Sequence, residues 1–281
     1  MRTKTLGGRR RGIARPHRRP SCALNARDHF SGHAADYARY RPDYPDALFA
    51  WLASQAPARR RAWDCATGSG QAAMRLAEHF EEVVATDASA RQIEEARPHA
   101  RVTYSVAPAE RSGLESGSVD LVTVAQALHW FDLERFWAEA TRVCAPGAVV
   151  AVWCYDLLRV APEIDAVLVH LYRDVVGPYW PPERAIVEHG YGSLSFPFDE
   201  IRAPSFAMEK LWTLPELVGY VRTWSATRRY MAENGMDPLA DVEIEGTLRS
   251  AWGDPERQRT AMWDLDLRVG KVPRASGRPA D

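Results

Sequence analysis

Between Arg61 and Tyr155 short apolar runs alternate with stretches in which apolar residues recur every three or four positions. The apolar runs predict strands over residues 62–66, 82–86, 101–105, 119–124 and 148–153, and the periodic stretches predict helices over 71–79, 91–96 and 133–143. Leu133, Phe136, Trp137 and Ala140 fall at i, i+3, i+4 and i+7, which places them on one helix face. Ser89-Ala90-Arg91-Gln92 has the form of a capping box at a helix start. Val149-Val150-Ala151-Val152-Trp153 is apolar without alternation, as a parallel strand covered on both faces should be. Strand followed by helix, repeated, predicts an α/β fold with a mostly parallel sheet flanked by helices.

The alternation stops after residue 155. Helical patterns then cover about 162–176, 215–232 and 239–251, with a Pro/Gly-rich patch over 177–197, and together they read as a helical cap added late in the chain. Strand-like runs over 206–212 and 260–269 are expected to pair antiparallel at one edge of the sheet. At the other end, a helix-like stretch runs from Asp28 through Tyr37. The punctuated segment Arg41-Pro42-Asp43-Tyr44-Pro45 follows, then a second helix through Leu48 and Leu52. The expected organisation is a basic tail without structure (1–27), a core with an N-terminal helical cover (28–155), a cap with the last strands of the same sheet (156–272) and a frayed end (273–281).

Composition narrows the class without deciding the chemistry. The 281 residues are 46% hydrophobic and 26% charged, with 10 Trp, which suits a globular protein. No run approaches the roughly 18 apolar residues of a membrane span. Cys22, Cys65, Cys144 and Cys154 lie far apart without C-x-x-C or Cys/His ligand spacing, so neither a metal site nor a disulfide framework is expected. A reducing cytoplasm fits that usage. The net charge of -1 conceals eight Arg/Lys and no acid in residues 1–20, whose removal leaves -9. Such an arm suits nucleic acid or organelle targeting. The plainer reading is a structureless tail, and a nucleic-acid partner is not expected.

The strongest local signal is Trp63-Asp64-Cys65-Ala66-Thr67-Gly68-Ser69-Gly70-Gln71, at the junction of the first strand and first helix. Glycines there let a ligand approach the backbone in front of a helix N-terminus. Gly68 to Ala73 also matches G-x-G-x-x-A, and Asp87 follows Gly68 by 19 residues, as a ribose-binding acid would in a Rossmann-like domain. On that motif alone an NAD-dependent oxidoreductase stays open. Asp64 favours a cofactor with a cationic head, such as the ammonium or sulfonium of S-adenosyl-L-methionine (SAM), because a pyrophosphate would be repelled. The structural alternatives are that Asp64 accepts backbone N–H bonds in the turn and that Asp87 caps the next helix.

Several further segments join this loop: Phe30-Ser31-Gly32 with Tyr37 and 41–45, then Ala109-Glu110, Ser118 to Leu121, Ala127-Leu128-His129-Trp130-Phe131-Asp132, and Arg142 to Gly147. With them the chain resembles the class I SAM-dependent methyltransferases, in particular the small-molecule group around trans-aconitate methyltransferase. The resemblance is good over about 28–155 and looser beyond. It implies that Asp64, Ala66, Gly68 and Gly70 hold the methionine part of SAM, Asp87 the ribose hydroxyls and Ala109-Glu110 the adenine edge. Gln126 is implied near the sulfonium, and Tyr37 and Arg41 in a segment that folds over the cofactor. The family's first glycine is Ala66 here, and its methyl group narrows the expected pocket. The implied reaction is direct in-line displacement onto a small molecule, an organic acid among the candidates, in a monomer or homodimer.

His129 and Trp130 follow the fourth strand and are the candidate catalytic pair, His129 as a general base near pH 7. The alternative is that His129 caps the helix beginning at Asp132 and Trp130 packs in the core. Tyr220, Trp224, Arg228 and Arg229 could set acceptor specificity, although Tyr220, Trp224 and Thr227 also have the spacing of a core-facing helix. Two other readings remain at this point: a nucleic-acid methyltransferase using the basic arm, and a member that binds SAM without turning it over.

Overall fold

The computed structural model describes Tyr40 and residues 42–273. The basic arm, the helix-like stretch 28–37, Tyr37, Arg41 and the frayed end beyond 273 lie outside those residues. In chain order the helices are α1 (Asp46–Gln55), α2 (Gln71–Leu76), α3 (Ala90–Glu94), α4 (Leu133–Val143), α5 (Pro162–His170), α6 (Arg184–Glu188), α7 (Leu214–Arg222), α8 (Ser225–Asn234) and α9 (Val242–Trp252). The strands are β1 (Arg61–Cys65), β2 (Glu82–Asp87), β3 (Val102–Val106), β4 (Val119–Ala125), β5 (Cys144–Cys154), β6 (Asp199–Glu200), β7 (Ala207–Trp212), β8 (Arg259–Asp264) and β9 (Asp266–Lys271).

Seven strands form one sheet in the order β3-β2-β1-β4-β5-β9-β6. β1 to β5 are mutually parallel, and β9 runs antiparallel to both β5 and β6. The chain winds outward from β1 through β2 to β3, then returns to β4 on the other side of β1. The loops leaving β1 and β4 therefore diverge, and the crevice between them at the C-terminal ends of the strands is where an open α/β sheet binds ligands.

Alternate residues of the central strands serve two apolar cores. Ala62, Val83, Ala85, Leu121, Ala151 and Trp153 face α1, α2 and the cap, whereas Trp63, Cys65, Val122, Val124, Val150 and Val152 face α4. Each fully buried Val, Leu or Phe contributes roughly 1.5–3 kcal/mol, so the sheet is held from both sides. One polar pair lies inside it: Trp63 Nε1 donates to Thr86 Oγ1 at 2.9 Å across β1 and β2.

Several sequence expectations shift in detail. The run 260–269 is two strands: β8 pairs antiparallel with β7 in a separate ribbon, and β9 returns to the main sheet with the two-residue β6 outside it. The corner at Leu265 is invisible in the pattern because Ala261, Trp263, Leu265 and Val269 are all buried and keep a period of two through it. The helix expected over 215–232 breaks at Thr223–Trp224, where Thr223 Oγ1 donates to the Tyr220 carbonyl at 2.6 Å and Trp224 turns extended. The Pro/Gly patch contains α6. The capping box is half formed: Ser89 Oγ accepts from Gln92 N–H, but the return bond to Ser89 N–H comes from Asp87. Among the described residues no helix is long and apolar enough to cross a membrane.

One polar knot holds the loop between β3 and β4. Glu139 on α4 accepts from Ser112 N–H at 2.8 Å and Ser112 Oγ at 2.6 Å, and from Arg142 Nε and Nη2 at 2.8 Å each. The Arg142 bonds hold the Glu139 carboxyl down at about 2. A carboxyl whose folded value lies below its unfolded one contributes stability above the unfolded value, near 4.5, and loses it as pH falls toward 2. In Glu139→Gln that acid-sensitive contribution, roughly 2 kcal/mol after allowing for the exposed arginine, should be gone. Denaturant unfolding measured from pH 6 down to pH 2.5 should show the parent's advantage over the variant shrinking with acid. A constant difference would contradict the assignment.

Candidate active site

Local backbone chemistry shapes the loop after β1. Thr67 N–H bonds to the Thr86 carbonyl at 2.9 Å, which carries the chain across the end of β2. Ala66, Gly68 and Gly70 all take left-handed conformations, with φ of 54°, 57° and 89°. For Ala66 that costs about 1–2 kcal/mol that a glycine would not incur. At Gly70, the residue preceding α2, a Cβ would lie 2.9 Å from Cε1 of Tyr104 on β3. The space the missing side chain leaves is thus used by Tyr104, not only by an approaching ligand. The Tyr104 hydroxyl is buried without a hydrogen-bond partner among the described residues, and burial raises its pKa.

Two carboxylates stand at the ends of β1 and β2. The register of β1 on β4 sets Asp64 beside Thr123, whose Oγ1 donates to Asp64 Oδ1 at 2.8 Å, while Thr67 Oγ1 donates to Oδ2 at 2.5 Å. Asp64 is 1% exposed, and no salt bridge reaches it among the described residues. Burial pushes it up to about 6, the hydroxyls hold it back, and Asp87 adds a smaller upward push. Asp87 accepts from Ser89 N–H at 2.8 Å and Gly68 N–H at 2.9 Å. Burial raises its pKa against those two bonds. It therefore steadies the start of α3 and ties β2 to the glycine loop.

The opposite wall comes from the segment after β4. Gln126, at φ 55°, donates from Nε2 to the Tyr155 carbonyl at 2.9 Å and accepts Tyr155 N–H at 3.0 Å, clamping the ends of β4 and β5 together. His129 and Trp130 sit in the short 3₁₀ turn Leu128–Trp130 with ring centroids 4.7 Å apart. His129 does not cap α4, because Asp132 does so itself through Arg135 N–H. Its Nδ1 lies 3.1 Å from the Tyr191 hydroxyl. Burial, then Arg184, lowers the imidazole to about 4, so it is neutral at physiological pH and far from the value near 7 expected of a base. Glu110 accepts Asp132 N–H at 3.0 Å, and Ala109 is buried beside it in the loop that Glu139 anchors.

Between these walls lies a cavity of about 890 Å³, inside the usual range for small-ligand sites. Gly70, Gln126, His129 and Trp130 line it directly, whereas Asp64, Asp87 and Ala109-Glu110 are not in its wall. Its far side is the cap: Tyr172, Trp180, Arg184, Tyr220, Trp224 and Arg228. Tyr220 and Trp224 are buried, as a core-facing helix spacing expects, and also line the cavity. Arg229 instead donates to the Tyr179 carbonyl at 3.3 Å. Sequence reasoning missed Tyr172, Trp180, Arg184 and Asp156. Arg184 pairs with Asp156, donates Nε to Tyr172 Oη at 2.5 Å and stacks 4.9 Å from the Trp180 ring. The available signal was Trp180-Pro181-Pro182-Glu183-Arg184, in which paired prolines precede a short helix. Among the described residues no cluster of three or more metal-ligating side chains occurs.

Residues 63–152 match a family model described as a methyltransferase domain. A Dictyostelium discoideum protein provisionally named a methyltransferase is 34% identical over 229 residues, covering 80% of this chain and 86% of its own. A Saccharomyces cerevisiae protein, provisionally named an S-adenosylmethionine-dependent methyltransferase, is 25% identical over 248 residues, with coverages of 75% and 85%. A solved structure from Anaeromyxobacter dehalogenans, provisionally described as a type II methyltransferase, is 51% identical with a TM-score of 0.79. It covers 83% of this chain and 99% of its own.

The buried Asp64 generates a stability prediction of its own. Its folded pKa of about 6 exceeds the ordinary aspartate value of 3.8, so ionising it costs stability as pH rises through that window, and the cost is complete above about 6. Asp64→Asn should therefore stabilise the ligand-free chain at pH 7.5, by up to roughly 3 kcal/mol, with the gain vanishing below pH 4. A variant less stable than the parent at pH 7.5 would show that the carboxylate is not under this strain.

Proposed function

The chain belongs to the class I SAM-dependent methyltransferases, and from that premise we propose that its crevice passes the methyl group of SAM to a small molecule held under the cap. The observation that carries the site assignment is the pair of polar groups left wanting at the end of β1. Asp64 is a buried carboxylate with no cationic partner among the described residues, and Tyr104 Oη is a buried hydroxyl with none of any kind. A cofactor bearing an ammonium and a sulfonium suits the first and offers hydrogen bonds to the second. The same Asp64 would repel a pyrophosphate, which is the physical reason the dinucleotide reading of the loop gives way.

In this reading Asp64, with Ala66, Gly68 and Gly70, orients the methionine end, and Asp87 takes the ribose hydroxyls. Each Asp87 oxygen already accepts one N–H and keeps a further lone pair. Ala109 and Glu110 border the adenine, and Gln126 fixes the floor between the two ligands. Tyr37 and Arg41 belong to the cover that the resemblance implies, and residues 28–155 with the cap of 156–272 form one working unit. When bound, SAM supplies an electrophilic methyl group on a sulfur that departs neutral, so no acid is required of the protein. What the chain provides is alignment and exclusion of water, worth on the order of 7–11 kcal/mol in well-oriented systems. His129 and Trp130 meet the acceptor. Arg228 brings positive charge to that side of the cavity, beside the Arg184–Asp156 pair, which suits an organic acid.

Two substitutions separate the roles. Asp87→Ala should weaken SAM about ten-fold or more in calorimetry, the value of a hydrogen bond to a charged group. His129→Ala should leave SAM affinity within about two-fold while slowing transfer, because one lost hydrogen bond to a reacting group is worth about a factor of ten. Incubating the protein with methyl-labelled SAM and a metabolite extract identifies the acceptor. Labelled nucleic acid in place of a small molecule would overturn the proposal.

A further inference from the structure

Among the described residues Tyr191 hydrogen-bonds His129, and none of the roles above uses it. It is 0% exposed, yet it takes the left-handed conformation, φ 60°, that a tyrosine adopts only at a cost of about 1–2 kcal/mol. The surrounding backbone enforces that conformation. Tyr191 N–H bonds to the Ile186 carbonyl at 3.1 Å, and the Tyr191 carbonyl accepts from Leu194 N–H at 3.1 Å and Arg268 Nη1 at 3.0 Å. The outcome is a phenol pointed at the imidazole, with Oη 3.1 Å from Nδ1 and the two rings 6.1 Å apart.

The direction of that hydrogen bond follows from what else the hydroxyl can reach. Among the described residues the hydroxyl meets the Leu128 backbone, whose bond lowers the phenol's pKa and is therefore one the oxygen accepts, and His129, so the phenolic hydrogen has one acceptor, Nδ1. Leaving a buried O–H undonated would cost about 1–3 kcal/mol. Nδ1 must then carry the lone pair, and a neutral imidazole with its lone pair on Nδ1 carries its hydrogen on Nε2. His129 lines the cavity while its Nδ1 edge is committed to Tyr191.

We propose that Tyr191 is a positioning residue that fixes His129 in the Nε2–H form, so that His129 offers the methyl acceptor a hydrogen bond instead of removing its proton. Burial and the nearby Arg184 keep the ring neutral, consistent with this role. The acceptor atom then brings its own free lone pair. The new bond to the methyl carbon forms from that pair, the carbon–sulfur pair returns to sulfur, and no proton passes to His129. Only the link to the acceptor rests on the proposed function, since the tautomer itself is a property of the chain.

The test is nitrogen NMR of the full chain labelled with 15N-histidine, with and without S-adenosyl-L-homocysteine, the His129 signals being those lost in His129→Gln. The expected spectrum shows one neutral His129 tautomer, protonated on Nε2. Protonation on Nδ1 overturns the proposal. In Tyr191→Phe the ratio of the two tautomers should move about ten-fold toward the Nδ1–H form, the value of one lost hydrogen bond. An unchanged ratio also overturns it. If the variant fails to fold, the parent tautomer decides alone. A parent that does not bind the homocysteine product would sink the proposed function, while the ligand-free spectrum would still test Tyr191.

Discussion

A carboxylate kept out of water with two hydroxyls and the Ala73 backbone for company is the constraint around which this molecule is arranged. Asp64 lies at the point where the sheet order reverses, and the parallel register of β1 on β4 brings Thr123 beside it. The turn after β1 brings Thr67 back to the other oxygen. Neither partner carries charge, so burial prevails and proton affinity rises to about 6. Such a residue lowers the stability of the folded chain as pH rises toward 6.

The remaining parts of the site hold that carboxylate's surroundings still. Asp87 bonds the glycine loop to the start of α3, Gln126 clamps β4 to β5, and Glu139 with Arg142 fastens the loop carrying Ala109 and Glu110. The cap then closes the crevice with aromatic surface around Arg184. In this arrangement the sheet supplies rigid edges and the late helices supply the far wall of the cavity.

Much of this was legible in the chain. The five parallel strands carry short apolar runs and α4 a clear helical period, and the Asp64 to Gln71 loop and Asp87 carry a motif tied to their place after a strand. What was hidden depends on distant contacts. The corner at Leu265 keeps the same alternation on both sides, so only pairing with β7 or β5 reveals it. The break at Thr223 depends on a side-chain bond back to Tyr220. Ala66 could be seen to stand in a glycine position, but its left-handed strain could not be measured there. The lowered pKa of His129 is not legible locally because burial and Arg184 come from distant segments, and Arg184 itself sits in the Pro/Gly-rich patch of the cap.

In the proposed function Asp64, half protonated near pH 6, meets a positively charged cofactor. Titration calorimetry of SAM at pH 6 in buffers of different ionisation enthalpy measures the protons exchanged on binding. The account predicts release of about half a proton by the parent, because a group with pKa near 6 is half protonated there and a bound cation favours its ionised form. It predicts none from Asp64→Asn. No release by the parent, or the same release by both, would contradict it.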